Sequence, residues 1–196
     1  MIPAGDGAVF TTAADGDMRH DPSARARLGL PPDWATVRQV HGSDVVRVTG
    51  PGDHGSADGL VTSTRGVPLA VFTADCMGIV LHAEGEVGVL HAGWRGLAAG
   101  VIERVLERMG AVASVAIGPH IRACCFEVGP EVADLFEGHL ARTTAGTVSV
   151  DLAAAAAARL PVPPTVVERC TRCGVDAFSH RRDATSARMA AIGWLP

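Results

Sequence analysis

The side chains available for chemistry in this 196-residue chain are eight histidines, five cysteines, carboxylates and arginines. All 17 basic residues are arginine, and lysine and tyrosine are absent. Schiff-base and pyridoxal chemistry need a lysine amine, and a Walker A loop needs its Gly-Lys pair. A tyrosine acid or nucleophile has no residue to use. Any phosphate must therefore be held by arginine, backbone N–H groups or a metal ion.

Three short stretches concentrate the reactive types. In LHAGWRGL (residues 90–97), a strand ends on His91 and a helix begins near Trp94. Such a helix start favours an anion, and Arg95 adds a planar cation. The plain alternative is that Gly93 and Gly96 only permit close strand–helix packing. In TADC (73–76), Asp75 and Cys76 follow an apolar strand; a free cysteine there serves as ligand, nucleophile or small buried hydrophobe. In QVHG (39–42), His41 sits in a turn. His41, Cys76 and His91 together make the thiolate–imidazole set that binds zinc with one position left open, or copper, which has the higher intrinsic affinity. Their spacing contains no short chelating loop. Cys76 as nucleophile with His91 as base is the hydrolase reading of the same residues.

Other patterns fail on detail. His82-Ala83-Glu84 with Cys170-Thr171-Arg172-Cys173 imitates the zinc-deaminase signature, but Arg169 stands where that signature has proline. The Cys170/Cys173 pair reads as a redox pair or as half of a four-cysteine zinc site completed by Cys124 and Cys125. Its flanks read as loop, which favours structural cysteines. No His-x-His pair exists, so a cupredoxin-type laccase cannot be built here.

The elements that must position these residues follow from periodicity. Strands are expected at 34–40, 44–48, 68–72, 77–82 and 86–91, then at VASVAIG (112–118), with two more at AFSHR (177–181) and MAAIGWL (189–195). A helix is expected over 94–109, where Leu97, Val101, Val105 and Met109 share a face. Others are expected from Pro130 through 131–141 and over DLAAAAAARL, with Asp151 as N-cap. Strands interspersed with helices, and no linker or repeat, predict one α/β domain over 1–196, with a short N-terminal segment at 1–33.

A net charge of −4 and no basic run argue against nucleic-acid binding. No apolar stretch approaches the roughly 20 residues of a membrane span, and no leader is apparent, so a cytoplasmic protein is expected. The odd number of cysteines argues against a disulfide framework.

The motifs QVHG, ADG (57–59), FTADC, HAGWRG, AIGPHIRACCFEVGPEV and ERCTRC…FSHRRDATSARMAAIGWL occur in the order seen in the YfiH-like family, which this chain resembles over roughly residues 36–196. That family is also called the laccase-domain, polyphenol oxidase or peptidoglycan editing factor family. The resemblance implies an α/β fold of two central mixed sheets flanked by helices, layered α/β/β/α, and zinc ligands at His41, Cys76 and His91. It also implies phosphorolysis of adenosine, inosine and methylthioadenosine to base and sugar 1-phosphate, with adenosine deamination as a further reaction; the expected partners are the nucleoside and phosphate, and the expected state is a monomer. Arg95, Arg181 and Arg182 are the phosphate candidates, and Asp75, Cys76 and His91 the catalytic ones. Members commonly carry a longer N-terminal segment, and an apolar residue with proline after the cysteine. Here Met77-Gly78 follows instead, which is expected to loosen the backbone beside Cys76. Copper-dependent phenol oxidation, suggested by the older family name, and cell-wall editing are the alternatives.

Overall fold

The computed structural model describes residues 1–31 and 33–196. Two six-stranded mixed sheets face each other. The first runs in the order Ile2–Pro3, Ala8–Phe10, Met189–Gly193, Leu69–Thr73, Ala35–Arg38, Gly52–Ser56. The second runs Thr165–Val166, Val112–Ile117, Met77–Ala83, Glu86–Ala92, Gly59–Thr62, Val45–Arg47. A separate hairpin pairs Leu140–Arg142 with Val148–Val150.

Both faces of the central strands are covered, and the period of two sorts their side chains between layers. Leu69 and Val71 point between the sheets, while Ala70 and Phe72 point outward to Met18, Leu28 and Trp34. Val80, Val87 and Val89 fill the inter-sheet layer, whereas Met77, Ile79, Leu81 and Leu90 pack against the helical side with Leu97, Val101 and Ile102. The result is the α/β/β/α layering expected from the resemblance. The sheets approach closely at Gly78, where an added Cβ would sit 2.4 Å from the Ala191 Cβ of the opposite sheet. Gly78 is thus a packing requirement in a paired strand, and not the loosened backbone expected from Met77-Gly78.

Three local expectations change. The helix expected over 94–109 is two helices, Trp94–Ala98 and Val101–Leu106, divided at Gly100, whose φ is +85°. AFSHR is not a strand: the Ser179 side chain accepts from the Arg182 N–H and caps a helix, His180–Asp183. The helix expected over 131–141 shortens to Pro130–Ala133 followed by a 3-10 turn, and then gives way to the hairpin. Asp151 does cap Leu152–Ala157 by accepting from the Ala154 N–H, and three of that helix's alanines are buried against the second sheet. Within the N-terminal 33 residues, Ala8–Phe10 hydrogen-bonds to Met189–Gly193, and Phe10 and Met18 are fully buried core. Among the described residues no helix is long and apolar enough to cross a membrane.

Candidate metal centre and substrate cavity

His41, Cys76 and His91 meet at the ends of strands from both sheets, and their ligand atoms lie within 4.8 Å of one another. The imidazole rings stand edge to face, 4.8 Å apart. His91 occupies the penultimate position of Glu86–Ala92, with its ring 4% exposed. Its Nδ1 lies 2.8 Å from Asp58 Oδ1. A carboxylate in that place accepts the Nδ1 proton and leaves the Nε2 lone pair facing the site.

Asp58 also holds the second histidine. Its oxygens accept the backbone N–H groups of Val40, His41 and Gly42 at 3.1, 3.0 and 2.7 Å, so one fully buried carboxylate fixes the QVHG turn and the His91 ring together. Burial opposes its charge, but these donors prevail and hold its pKa below the usual carboxylate value. The turn places His41 at φ +59°.

Cys76 follows Asp75, whose φ of +94° is a strained geometry for a residue with a side chain. The surroundings enforce it. The Asp75 carbonyl accepts from the Ile121 N–H at 2.8 Å, and its carboxylate accepts from Thr171 Oγ1 at 2.6 Å and the Arg181 N–H at 2.7 Å. The bend turns Cys76 toward the imidazoles. Gly93 leaves room for them, since a Cβ there would lie 2.8 Å from Cys76 Sγ and 3.3 Å from the His41 ring. Burial works against a thiolate at Cys76, yet hydrogen bonds from His41 and His91 outweigh it and bring the pKa down to about 6. Burial likewise opposes the His91 cation, but Asp58 and Cys76 raise its pKa to about 9. Without metal the three groups thus form a charge-paired cluster. A thiolate, two imidazoles and a buried carboxylate behind one of them is a donor set that suits zinc, with a side left open.

The open side is a cavity of about 400 Å³, within the range of small-molecule sites. Phe72, Trp94, Ile121, Phe126 and Leu152 supply apolar wall, and Arg19, Arg95, Arg181, Arg188 and His180 supply positive or titratable groups. The Arg95 guanidinium lies over the Trp94 ring at 4.2 Å, and that of Arg181 over the Phe126 ring at 5.1 Å. Asp75 is the carboxylate in the lining. Because Trp94–Ala98 spans only five residues, the positive charge in this lining comes from guanidinium groups more than from a helix end.

Of the residues expected from sequence, His41, Asp75, Cys76, His91, Arg95 and Arg181 converge here. Arg182 does not line the cavity. Its guanidinium donates to the carbonyls of Thr171, Arg172, Gly174 and Ala177 and pairs with Asp183, so its donors are spent clamping a loop. Asp58, Arg19, Arg188 and His180 were not singled out in sequence. Asp58 lies in the ADG motif, and a carboxylate beside an apolar strand was its available signal. His180 and Arg188 lie within the last of the family motifs, which gives them no individual role, and Arg19, near the other chain end, lies outside the motifs.

Two facing mixed sheets between helices, with a His–Cys–His group at the strand ends, define a layered α/β protein with a candidate metal centre. Residues 19–196 match the family model described as multi-copper polyphenol oxidoreductase laccase. A purine nucleoside phosphorylase of Streptomyces griseus is 37% identical over 194 residues, covering 88% of this chain and 78% of that protein. Purine nucleoside phosphorylase YfiH of Escherichia coli K12 is 36% identical over 193 residues, covering 88% and 77%. The crystal structure of YlmD from Geobacillus stearothermophilus superposes with a TM-score of 0.82 at 32% identity, covering 97% of this chain and 93% of that one. The chain belongs to the YfiH-like family.

Proposed function

We propose that the protein is a zinc-dependent purine nucleoside phosphorylase acting on adenosine, inosine and methylthioadenosine, with adenosine deamination as a side activity. The observation that carries this reading is a single cavity in which the His–Cys–His group, aromatic walls and several guanidinium groups meet. The names of the relatives point to the reaction, and the cavity contains the groups that the reaction needs.

His41, Cys76 and His91 would hold the ion, with Asp58 fixing both histidines. A zinc ion so held supplies Lewis-acid polarisation. Arg95 and Arg181, joined by Arg19 and Arg188, bind phosphate through guanidinium N–H donors, Arg181 and Arg188 using those left after their Nη1 bonds to the carbonyls of Glu127 and of Thr185 and Ala187. Trp94, Phe72 and Phe126 hold the purine against apolar surface. In phosphorolysis a phosphate oxygen bonds to ribose C1′ as the C1′–N9 bond breaks and its electron pair passes to the purine, which takes a proton at N7. His180 is the lining group suited to deliver that proton. Asp75, already accepting from Thr171 and Arg181, orients the wall that carries Arg181 and remains within reach as an acid–base group. The protein acts as a monomer in the cytoplasm, a reducing compartment that agrees with five unpaired cysteines.

Zinc-loaded protein incubated with inosine should release hypoxanthine and ribose 1-phosphate only when phosphate is present. No phosphate-dependent release from zinc-replete protein would overturn the reading. The lowered Cys76 pKa favours one second reading, a Cys–His hydrolase. In that case chelation would leave turnover intact and alkylation of Cys76 would abolish it, whereas a ligand role predicts that chelation itself stops turnover. Oxygen uptake with a phenol, scaling with bound copper, would instead support the oxidase named in the family description.

A further inference from the structure

We propose that Cys124, Cys125, Cys170 and Cys173 form a second, structural metal site that holds one zinc ion through four thiolates. The inference stands apart from the proposed activity, because it uses none of the cavity's ligands.

The four sulfurs lie within 4.8 Å of one another, with Cys124 Sγ 3.7 Å from Cys125 Sγ and 3.9 Å from Cys173 Sγ. A zinc–sulfur bond is about 2.3 Å, so the sulfurs of a tetrahedral tetrathiolate site stand about 3.8 Å apart. The cluster is already close to that size, and all four thiols are free. The Arg122 N–H donates to Cys170 Sγ at 3.5 Å, and the N–H groups of Arg172 and Cys173 also face that sulfur. Backbone donors turned onto the first sulfur of a Cys-x-x-Cys turn favour the thiolate that a metal needs. Four thiolates around a divalent ion leave two negative charges. Arg172 lies within the turn, and the Arg182 guanidinium donates to the carbonyls of Thr171, Arg172 and Gly174 around it, so cations stand where that charge would fall.

The location explains the need. Cys124 and Cys125 belong to the segment after Val112–Ile117, and Cys170 and Cys173 to the segment before His180–Asp183; among the described residues their backbone pairing is an isolated bridge, His120 with Cys170, supplemented by side chains, with Arg172 donating to the Cys125 carbonyl and Arg122 paired with Glu168. The same two segments supply Ile121 and Phe126 to the cavity and Thr171 to Asp75, and the second leads into the helix that carries Arg181. An ion joining four sulfurs replaces the ladder of backbone bonds that these segments lack.

The test is metal content and cobalt spectroscopy on the full chain. His91→Ala should keep one tightly held zinc, and its cobalt form should show the strong thiolate charge-transfer and tetrahedral d–d bands of an all-sulfur site. Cys173→Ser, at the exposed corner of the cluster, should lose one zinc relative to wild type together with those bands, and Cys173→His should recover the zinc with a shifted spectrum. Equal zinc content in wild type and Cys173→Ser would overturn the proposal. So would four thiols that react with a thiol reagent equally fast with and without zinc, or a disulfide among them in protein purified with zinc present. The wild-type and His91→Ala cobalt spectra decide the matter even if the Cys173 variants do not fold.

Discussion

The two sulfur-bearing clusters are both compact, with ligand atoms within 4.8 Å of one another, and have opposite surroundings. His41, Cys76 and His91 stand at the ends of core strands, are backed by a buried carboxylate, and open on a cavity. Cys124, Cys125, Cys170 and Cys173 stand between two irregular segments, are backed by main-chain N–H groups and arginines, and line no part of that cavity. A mixed donor set on rigid elements with one side free is suited to chemistry, whereas a closed all-sulfur set between loops is suited to holding them. Proximity of ligands alone does not separate these roles; the open side and the second layer of hydrogen bonds do.

The widest separation between the clusters should appear in turnover. Cys76→Ala or His91→Ala removes a primary ligand, and since loss of a supporting group alone costs about 10- to 100-fold, phosphorolysis should fall by at least about 100-fold even below the melting transition, which His91→Ala also lowers by leaving the buried Asp58 carboxylate short of a donor. Cys173→Ser should lower the melting temperature as well but leave turnover measurable below the transition. Equal effects on turnover from both variants would erase the distinction.

Asp58→Asn sharpens the comparison at the next level. It keeps the size of the side chain but weakens acceptance from His91 and from the QVHG turn. Zinc affinity at the mixed site should fall about 10- to 100-fold, with the cobalt bands of the four-cysteine site unchanged.

Proton balance gives a third separation. In the metal-free fold Cys76 titrates at about 6 and His91 at about 9, against ordinary values of 9.0 and 6.5. The lowered thiol pKa adds stability that is complete above 9.0 and lost as pH falls through about 6. The raised imidazole pKa adds stability that is complete below 6.5 and lost as pH rises through about 9. Between 6.5 and 9 the folded pair and the unfolded pair each hold one proton, on nitrogen in one and on sulfur in the other. These opposing slopes cancel, so the pair leaves metal-free stability flat across that window. The lowered Asp58 pKa adds stability present above the ordinary Asp value and lost as pH falls through the folded one, so its contribution disappears in acid. Zinc must expel the His91 proton. Its affinity for the mixed site should therefore rise about tenfold per pH unit up to about 9, then level off. Calorimetric titration in buffers of different ionisation enthalpy measures the proton released, and a pH-independent affinity would break the account.

How much of this was legible depended on how local each signal was. Met77–Ala83 and Glu86–Ala92 declared themselves by runs of apolar residues around a Gly85 turn. Ala8–Phe10 did not, because its partner lies some 180 residues on and no local pattern encodes that pairing. The 94–109 helix was read as continuous since Leu97, Val101 and Val105 do share the core face; only the left-handed Gly100 divides it. His41, Cys76 and His91 were legible as residue types in known motifs. Asp58, 33 residues from the ring it holds, shows in the sequence only as part of the ADG motif, because a buried carboxylate is recognised by its partners. Arg181 and Arg182 were indistinguishable in sequence, and the helix beginning at His180 sends one guanidinium toward the cavity and the other into the loop.

That pair supplies the smallest expected effect. Arg181→Ala should raise the KM for phosphate about tenfold, the order of one charge-assisted hydrogen bond, with a modest change in melting temperature. Arg182→Ala should leave the phosphate KM nearly unchanged. It deprives the carbonyls of Thr171, Arg172, Gly174 and Ala177 of a shared donor, but exposed carbonyls recover water, so the loss should be about 1–2 kcal/mol of stability. If the four-cysteine site holds its ion, the Arg182 variant should also bind that zinc more weakly than wild type, since a nearby cation has been withdrawn from the thiolates. Paired measurements of phosphate KM and zinc retention on the two neighbours therefore ask whether adjacent arginines divide their work between the two clusters. A raised phosphate KM in Arg182→Ala, with zinc retention intact, would assign that guanidinium to the cavity after all.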